Sequence, residues 1–418
     1  MIIRVSTPAD HIKVPCLPLR PPRSLPSWRN WAPFHQCDTG RLRTHLQRLP
    51  DPRSRRGRWY PLAGLLLICA CAVVSGARTI TEITEWGQRA STTVLEQLGI
   101  RRHLPGRRRA PSHATLTRLL AALDGDALDA VIGAYLAEHD HTDVGGTGSV
   151  PRPAIAVDGK ALSGSAHRQQ RHRPLLSAVT HAPTVTLAQR EVGAKTNETA
   201  AAGTLDLAGA VVTFDALHSV KDQVRWLVEE KKAHCIAVIK GNQPTASAQV
   251  KALPWEQVPI AHTVSGTGTG GGSPARSRRW LSRRTWAGSL FRKHGWPCVS
   301  TGAAGTAASG RPGRRSTPSP ASIPTRPALL TWADTSAGTG GIENSSHHVR
   351  DVVFVEDAST VHTGSAPRAM AALRNLAIGR LRLLGADNIA KTTRAIRDAP
   401  EHAIWIWGIT DSPLLPGT

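Results

Sequence analysis

Pro153 to Ser165 read PAIAVDGKALSGS, and this stretch decides the architecture of the chain. Four apolar residues, Ala154 to Val157, predict a short buried strand. Asp158 ends it, and Gly159, Lys160 and a small-residue turn follow at once. An acid at the end of a buried strand is held rigidly yet faces a groove, and Gly159 lets the backbone turn sharply behind it. Gly209 to Ser219, GAVVTFDALHS, repeats the arrangement, with Ala210 to Phe214 as the strand and Asp215 after it. Two strand-end acids from one sheet can share a metal ion.

The surroundings of these two strands predict how they connect. LLSAVTHAPTVTLAQREV, residues 175–192, contains two β-rich runs that Ala182 and Pro183 can join as a hairpin. After Asp215, SVKDQVRWLVEEKKA predicts a helix with Val220, Val224, Leu227 and Val228 on one face, and HCIAVIKG predicts another strand. Strand, helix and strand in that order form a βαβ unit with parallel strands. A hairpin followed by a βαβ unit, with acids ending the first and fourth strands, is the order of an RNase H-like α/β fold, a mixed sheet flanked by helices. In that fold the first and fourth strands are neighbours, so Asp158 and Asp215 would meet.

Upstream, residues 1–36 hold clustered prolines without apolar periodicity and predict a disordered extension. Residues 37–140 predict a helical domain. It includes the buried run PLAGLLLICACAVV, too short and Gly-containing to span a bilayer. A basic loop carries Arg101, Arg102, Arg107, Arg108 and Arg109, and Ser112 is placed to cap the helix after it. Two short helices beside an arginine cluster suit contact with duplex DNA, and an ordinary helical hairpin with a solvated loop fits equally well.

The formal net charge of +22 points to a polyanionic partner, nucleic acid before membrane. Six cysteines without a CxxC pair argue against a disulfide framework or zinc site and fit a reducing cytosol. The glycines from Gly266 to Gly272 are not a phosphate loop, since no GK[ST] follows.

DGKALSG (158–164), VVTFDALHS (211–219), VIKGNQP (238–244), GIENSSHHVRDVVFVEDAS (341–359) and RNLAIGRLRLLGADNIAKTTRAIRD (374–398) resemble the ISAs-one family of bacterial insertion-sequence transposases. The likeness runs from about Leu42 to Asp411, its helical N-terminal segment matching about Arg41 to Glu138. It implies a DDE triad on an RNase H-like core, with the aspartates on Asp158 and Asp215 and the glutamate on Glu343 of IEN. The resemblance further implies double-stranded DNA as partner (terminal repeats and target), a homo-oligomer on DNA, no membrane association, and a bacterial cytoplasmic, nucleoid-associated location.

The residues agree on the third acid. Glu343, His347 and Arg350 at i, i+4 and i+7 would share a helix face, pointing a carboxylate at metal and a guanidinium at phosphate. Asp351, Glu356 and Asp357 compete for that role or are solvated charges. His347 and His348 lack further ligands at zinc spacing, which leaves them packing or DNA-facing roles. Lys160 is placed to contact DNA phosphate, or is a plain surface lysine. Three carboxylates of this kind suit two Mg²⁺ (or Mn²⁺) ions, which activate water for end cleavage and then the freed 3′-hydroxyl for strand transfer.

The expected organisation is a catalytic domain from residues 150–245 and 341–411, with an insertion at 246–340 between the second and third acids. Two stretches depart from the family pattern. Residues 197–207 are too short for a full helix. Residues 269–340 hold eleven Arg or Lys against the single acid Asp334, a composition that suggests an out-of-frame, disordered segment. A decayed copy that binds DNA without cutting it, or an RNase H-like nuclease, are the alternative functions.

Overall fold

The computed structural model describes residues 2–5, 41–103, 106–140, 154–163, 172–181, 183–191, 203, 205–214, 221–238, 244–245, 248, 252, 260–264, 275–281, 297–303, 346–399 and 401–409. In chain order the principal elements begin with β1 (Ile2–Val5), α1 (Arg41–Gln47), α2 (Leu62–Val74), α3 (Ile80–Arg89), α4 (Thr92–Gln97), α5 (His113–Ala122) and α6 (Gly125–Asp140). Then come β2 (Ala154–Leu162), β3 (Arg173–Thr180), β4 (Thr186–Glu191), β5 (Val211–Phe214), α7 (Lys221–Glu229), β6 (His234–Val238), β7 (Ile260–Val264), β8 (Ala275–Leu281) and β9 (Pro297–Ala303). Last are α8 (His348–Phe354), α9 (Ala366–Leu383), α10 (Ile389–Asp398) and α11 (Glu401–Ile406).

These elements form two units, and the division runs through β2, after Ala156. One comprises residues 21–146, 157–205 and 340–418. At its centre lies α2, buried at every position from Leu62 to Val74. A helix apolar all round needs partners on every side. Here they are α1, α3, α9 and α11. The surrounding helices begin where capping chemistry allows. Thr79, Ser91, Ser112 and Asn388 each accept a backbone N–H in the first turn of the helix that follows. Asp124 accepts the leading N–H groups of α6, from Asp126 and Ala127. α9 ends at Gly385, whose φ of +83° is cheap only for glycine.

In the same unit β4, β3 and β2 lie side by side, and β3 and β4 form the expected antiparallel hairpin. α6 packs on β4, and Gly133 makes that approach possible. A methyl at that position would meet the Leu187 carbonyl oxygen at 1.9 Å. Gly379 plays the same part where α9 crosses α6, since an added Cβ would stand 2.9 Å from a Leu136 methyl.

The other unit comprises residues 1–20, 147–156 and 206–339. β5 and β6 pair in parallel with α7 between them in sequence, so the predicted βαβ unit is present. The strand order continues from β6 through β1, β9 and β8 to β7, all antiparallel.

Three expectations are corrected. The N-terminal extension is not uniformly irregular, because Ile2–Val5 pair with both β6 and β9. Ile2, Ile3 and Val5 are β-branched, and the strand precedes the proline cluster, so nothing in it opposes a ladder. Residues 269–340 contain β8 and β9, paired over seven positions. Strand pairing is a backbone interaction, and a poor supply of β-formers does not forbid it when neighbours are present. Finally, residues 41–140 do not form a core of their own. Leu65 of α2, Leu120 of α5, Leu376 of α9 and Trp407 after α11 belong to one buried cluster. The frame and order proposed for the rest of 269–340, and the shortened stretch at 197–207, fall mostly outside the described residues.

Candidate active site and basic surface

β2 does not end at Asp158 but continues to Leu162. Ile155, Ala156 and Val157 are buried, and from Asp158 the strand emerges, with Gly159 and Ala161 exposed and Lys160 half-buried between them. The acid therefore sits mid-strand, where buried sheet gives way to surface. Its carboxylate is about a quarter exposed (25%), and Oδ1 accepts the Gly159 N–H at 2.8 Å. No sharp turn follows Gly159, because the backbone remains extended.

Opposite lies the segment leading into α8. His347 places Nδ1 3.5 Å from Asp158 Oδ2. Burial, reinforced by the cations of Arg350 and Lys160, pushes the His347 imidazolium down to about 4. At neutral pH an uncharged ring therefore faces the carboxylate. One turn on, Asp351 receives the Lys160 ammonium at 2.5 and 2.6 Å, and Asp357 stands 3.5 Å from it. These contacts bind β2, at Asp158 and at Lys160, to α8 and the residues that flank it.

Arg350 behaves differently from the expectation. It is buried, at 1% exposure, and faces Glu356 rather than solvent or phosphate. Val355, at φ +52°, ends α8 in the left-handed region and reverses the chain so that Glu356 folds back under the helix. Arg350 and, from α9, Arg374 approach this carboxylate at 2.6 and 3.0 Å. Burial pushes the Glu356 carboxyl up, but the two guanidiniums outweigh it and hold it below the usual glutamate value. Glu356 is thus an internal counter-ion, and neither a solvated charge nor a rival third acid. Nothing in the helical periodicity marks it, because the pairing depends on the αL reversal.

Lys160 is likewise not a free phosphate contact, since its side chain is only 9% exposed and held by acids. Asp215 and Glu343 lie outside the described residues. Asp158 brings an oxygen ligand of the kind hard divalent cations prefer. Among the described residues no three His, Cys, Asp or Glu side chains gather as a metal site. A two-metal centre would therefore require Asp215 and Glu343 in addition.

The arginine loop is a tight hairpin. Arg102 and Arg108 pair across it, and the His103 N–H donates to the Arg107 carbonyl at 2.9 Å. Arg101, Arg102, Arg107 and Arg109 are exposed. Arg108 is the exception, turned inward to the Ile100 carbonyl at 2.7 Å and to Glu96. The cysteines described in full are structural, as expected. Cys69 and Cys71 are buried in α2, and burial pushes the Cys69 thiol up to about 12.

The class defined by these features is a mixed α/β protein with a helical N-terminal region and a carboxylate on a central strand. Residues 43–136 match the model of the family described as DDE_Tnp_1-associated. A protein described as "Uncharacterized protein in dhlA 3'region" from Xanthobacter autotrophicus is 30% identical over 210 residues, 49% of this chain and 66% of that protein. "Putative transposase YncI" of Escherichia coli O157:H7 is 29% identical over 48% of this chain and 50% of its own length. "H repeat-associated putative transposase YbfD" of E. coli K12 is 25% identical over 49% of this chain and 77% of its own. The chain thus spans between half and two thirds of the first two relatives. A cryo-EM structure of the piggyBac transposase synaptic complex with hairpin DNA overlays 90% of this chain and 79% of that one at 7% identity. Its TM-score of 0.35 is too low to carry an argument. The family model and the named relatives support a bacterial transposase family. Among the described residues no helix is long and apolar enough to cross a membrane.

Proposed function

We propose that this chain is an insertion-sequence transposase of the ISAs-one kind, with an RNase H-like core. It cuts DNA at the ends of its element and joins the freed ends to target DNA, with Asp158, Asp215 and Glu343 as the catalytic acids. One observation carries the reading: His347, four residues beyond Glu343, lies 3.5 Å from Asp158. Four residues span about 6 Å along a helix and about 14 Å fully extended. A third acid at position 343 would therefore be within reach of Asp158, which supports the reading.

In the cleavage step a water oxygen forms a bond to phosphorus as the bond to the 3′-oxygen breaks, releasing a 3′-hydroxyl. That hydroxyl then attacks a target phosphodiester, exchanging one P–O bond for another, so no ATP is consumed. The three acids would hold Mg²⁺ or Mn²⁺, whose chemistry is to activate the attacking oxygen and steady the leaving one. Neutral His347 faces the Asp158 carboxylate, and the Lys160–Asp351 pair ties the same strand to α8. The protein would act in the bacterial cytoplasm, as a homo-oligomer assembled on DNA.

A second reading, a remnant that binds DNA without cutting it, is favoured by the eleven basic residues and single acid in 269–340. Donor-end cleavage and plasmid joining with Mg²⁺ decide between the two. Asp158→Asn, Asp215→Asn and Glu343→Gln should each reduce both steps to background while DNA binding persists, and double variants should look no worse than single ones. A native chain that binds DNA but never cuts it favours the remnant. Cleavage without joining points to a nuclease, and Glu343→Gln with full activity rejects the third acid.

A further inference from the structure

Two surface loops lie together on the helical region. Residues 54–59 read SRRGRW and residues 101–109 read RRHLPGRRR. Tyr60 Oη donates to the Ala110 carbonyl at 3.2 Å, and the Trp59 indole stands 4.8 Å from the His103 ring at a 41° tilt. The arginines here divide into two sets. Arg53 and Arg58 hold Asp51, Arg58 also holds two backbone carbonyls, and Arg108 holds Glu96. These contacts use the two nearby carboxylates to shape the loops. Arg55, Arg56, Arg101, Arg102, Arg107 and Arg109 are exposed. Within this basic surface sits Trp59, 46% exposed and one of two large hydrophobic residues exposed among the described residues, the other being Val352.

We infer that these loops form a DNA-binding surface on which the arginines take phosphates and Trp59 stacks on an unpaired or terminal base. Exposed guanidiniums bind a phosphate backbone whatever its sequence. An indole left half in water among them gains nothing from phosphates. It gains from a π-face, which paired DNA offers only at its ends. The partner is therefore DNA with a base free at a duplex junction. This rests on the proposed function only in choosing DNA among polyanions, because the surface needs none of the three catalytic acids.

Binding to a blunt duplex and to the same duplex with a forked end, measured by fluorescence anisotropy in chelator, tests the inference without cleavage. The wild-type chain should prefer the fork by about tenfold or more, the worth of one stacked base. Trp59→Ala should abolish that preference and leave blunt-duplex affinity nearly unchanged, whereas Trp59→Phe should keep most of it. Arg55→Ala with Arg56→Ala should weaken both substrates equally and lower the salt slope by about two. Because losing Trp59 removes the ring that covers His103, a 5-iodouracil at the unpaired position of the fork should also be cross-linked to the wild-type chain, with Trp59 in the linked peptide. No preference for the fork, a preference that survives Trp59→Ala, or cross-links only elsewhere would overturn the inference. Failure of cleavage in the catalytic assay leaves these readouts standing, so the two proposals fail separately.

Discussion

Arginine occupies two regions of this molecule in opposite ways. Around α8 and α9, Arg350, Arg368, Arg374 and Arg380 are buried, between 1% and 6% exposed, and each has a fixed acceptor. Around the 101–109 hairpin, Arg101, Arg102, Arg107 and Arg109 are exposed. The same residue type is an internal strut in one region and surface charge in the other. The net charge of +22 therefore does not say where a DNA strand would meet positive field, because the buried arginines lie inside the core with their acceptors. What separates the sets is the supply of acceptors: Glu356, Asp129 and Asp126 reach Arg350, Arg374 and Arg368, and the Ile406 carbonyl reaches Arg380. Near the hairpin, Glu96 is engaged by Arg108.

The largest effect that would sharpen this contrast is expected at Glu356. Glu356→Ala leaves Arg350 and Arg374 charged and buried without their counter-ion, a change that costs about 3–5 kcal/mol. Urea denaturation should show it as a large fall in midpoint at unchanged slope. Replacing Arg350, Glu356 and Arg374 together by apolar residues of similar size should recover much of that loss, since the penalty is for uncompensated charge. A small effect of Glu356→Ala alone would mean that water reaches the cluster and that the buried set is not truly internal.

A smaller change, at most about 1.4 kcal/mol for each unit of pH, is expected at Asp129. Burial pushes its carboxyl up to about 7, against the pull of Arg368 at 2.9 Å and the Gln189 amide at 3.2 Å. Between the ordinary aspartate value and about 7, the folded chain holds a proton that the unfolded chain has lost. Stability from this group therefore falls as pH rises through that window and levels above it. Glu356, held below its usual value, has the opposite sign, and its contribution is lost as pH falls. The stability difference between wild type and Asp129→Asn should thus move against the wild type from about pH 4 to pH 7. A difference moving the other way would mean that Arg368 outweighs burial and keeps Asp129 ionised.

Local structure was legible in the sequence wherever a short-range rule decides it. The wholly apolar run of α2, the Ser112 cap, the β3–β4 hairpin and the βαβ unit were all readable from periodicity and turn chemistry. Around the candidate site, the buried half of β2 was legible, but its continuation past Asp158 and the contacts that hold it were not. Lys160 and Asp351 are 191 positions apart in sequence, and Glu356 reaches Arg374 only because α9 crosses nearby. Sequence patterns report neighbours along the chain, and a charge pairing across such a separation leaves no periodic trace. The same limit explains Arg350, whose spacing from Glu343 suggested a phosphate-facing helix but whose surroundings bury it. β1, four residues ahead of a long proline-containing stretch, is too short to stand out without its partners β6 and β9.

The smallest effect on stability is expected at the other end of the comparison. Arg101, Arg102, Arg107 and Arg109 are exposed, in a loop closed by backbone pairing between Arg102 and Arg108 and by the His103–Arg107 hydrogen bond. None of these closing contacts uses the guanidinium of the four exposed arginines. Exposed substitutions away from packing usually change stability by no more than about 0.5 kcal/mol each. Removing four crowded like charges also relieves some repulsion. Replacing all four with alanine should therefore leave the urea midpoint within about 2 kcal/mol of wild type in free-energy terms. DNA binding should respond instead: with about six phosphates neutralised, wild-type affinity should fall roughly 10³-fold between 50 and 200 mM salt, and the quadruple variant should show a much flatter slope. Marked unfolding of the variant with an unchanged salt slope would make these arginines struts like their buried counterparts, and the division between the two regions would not hold.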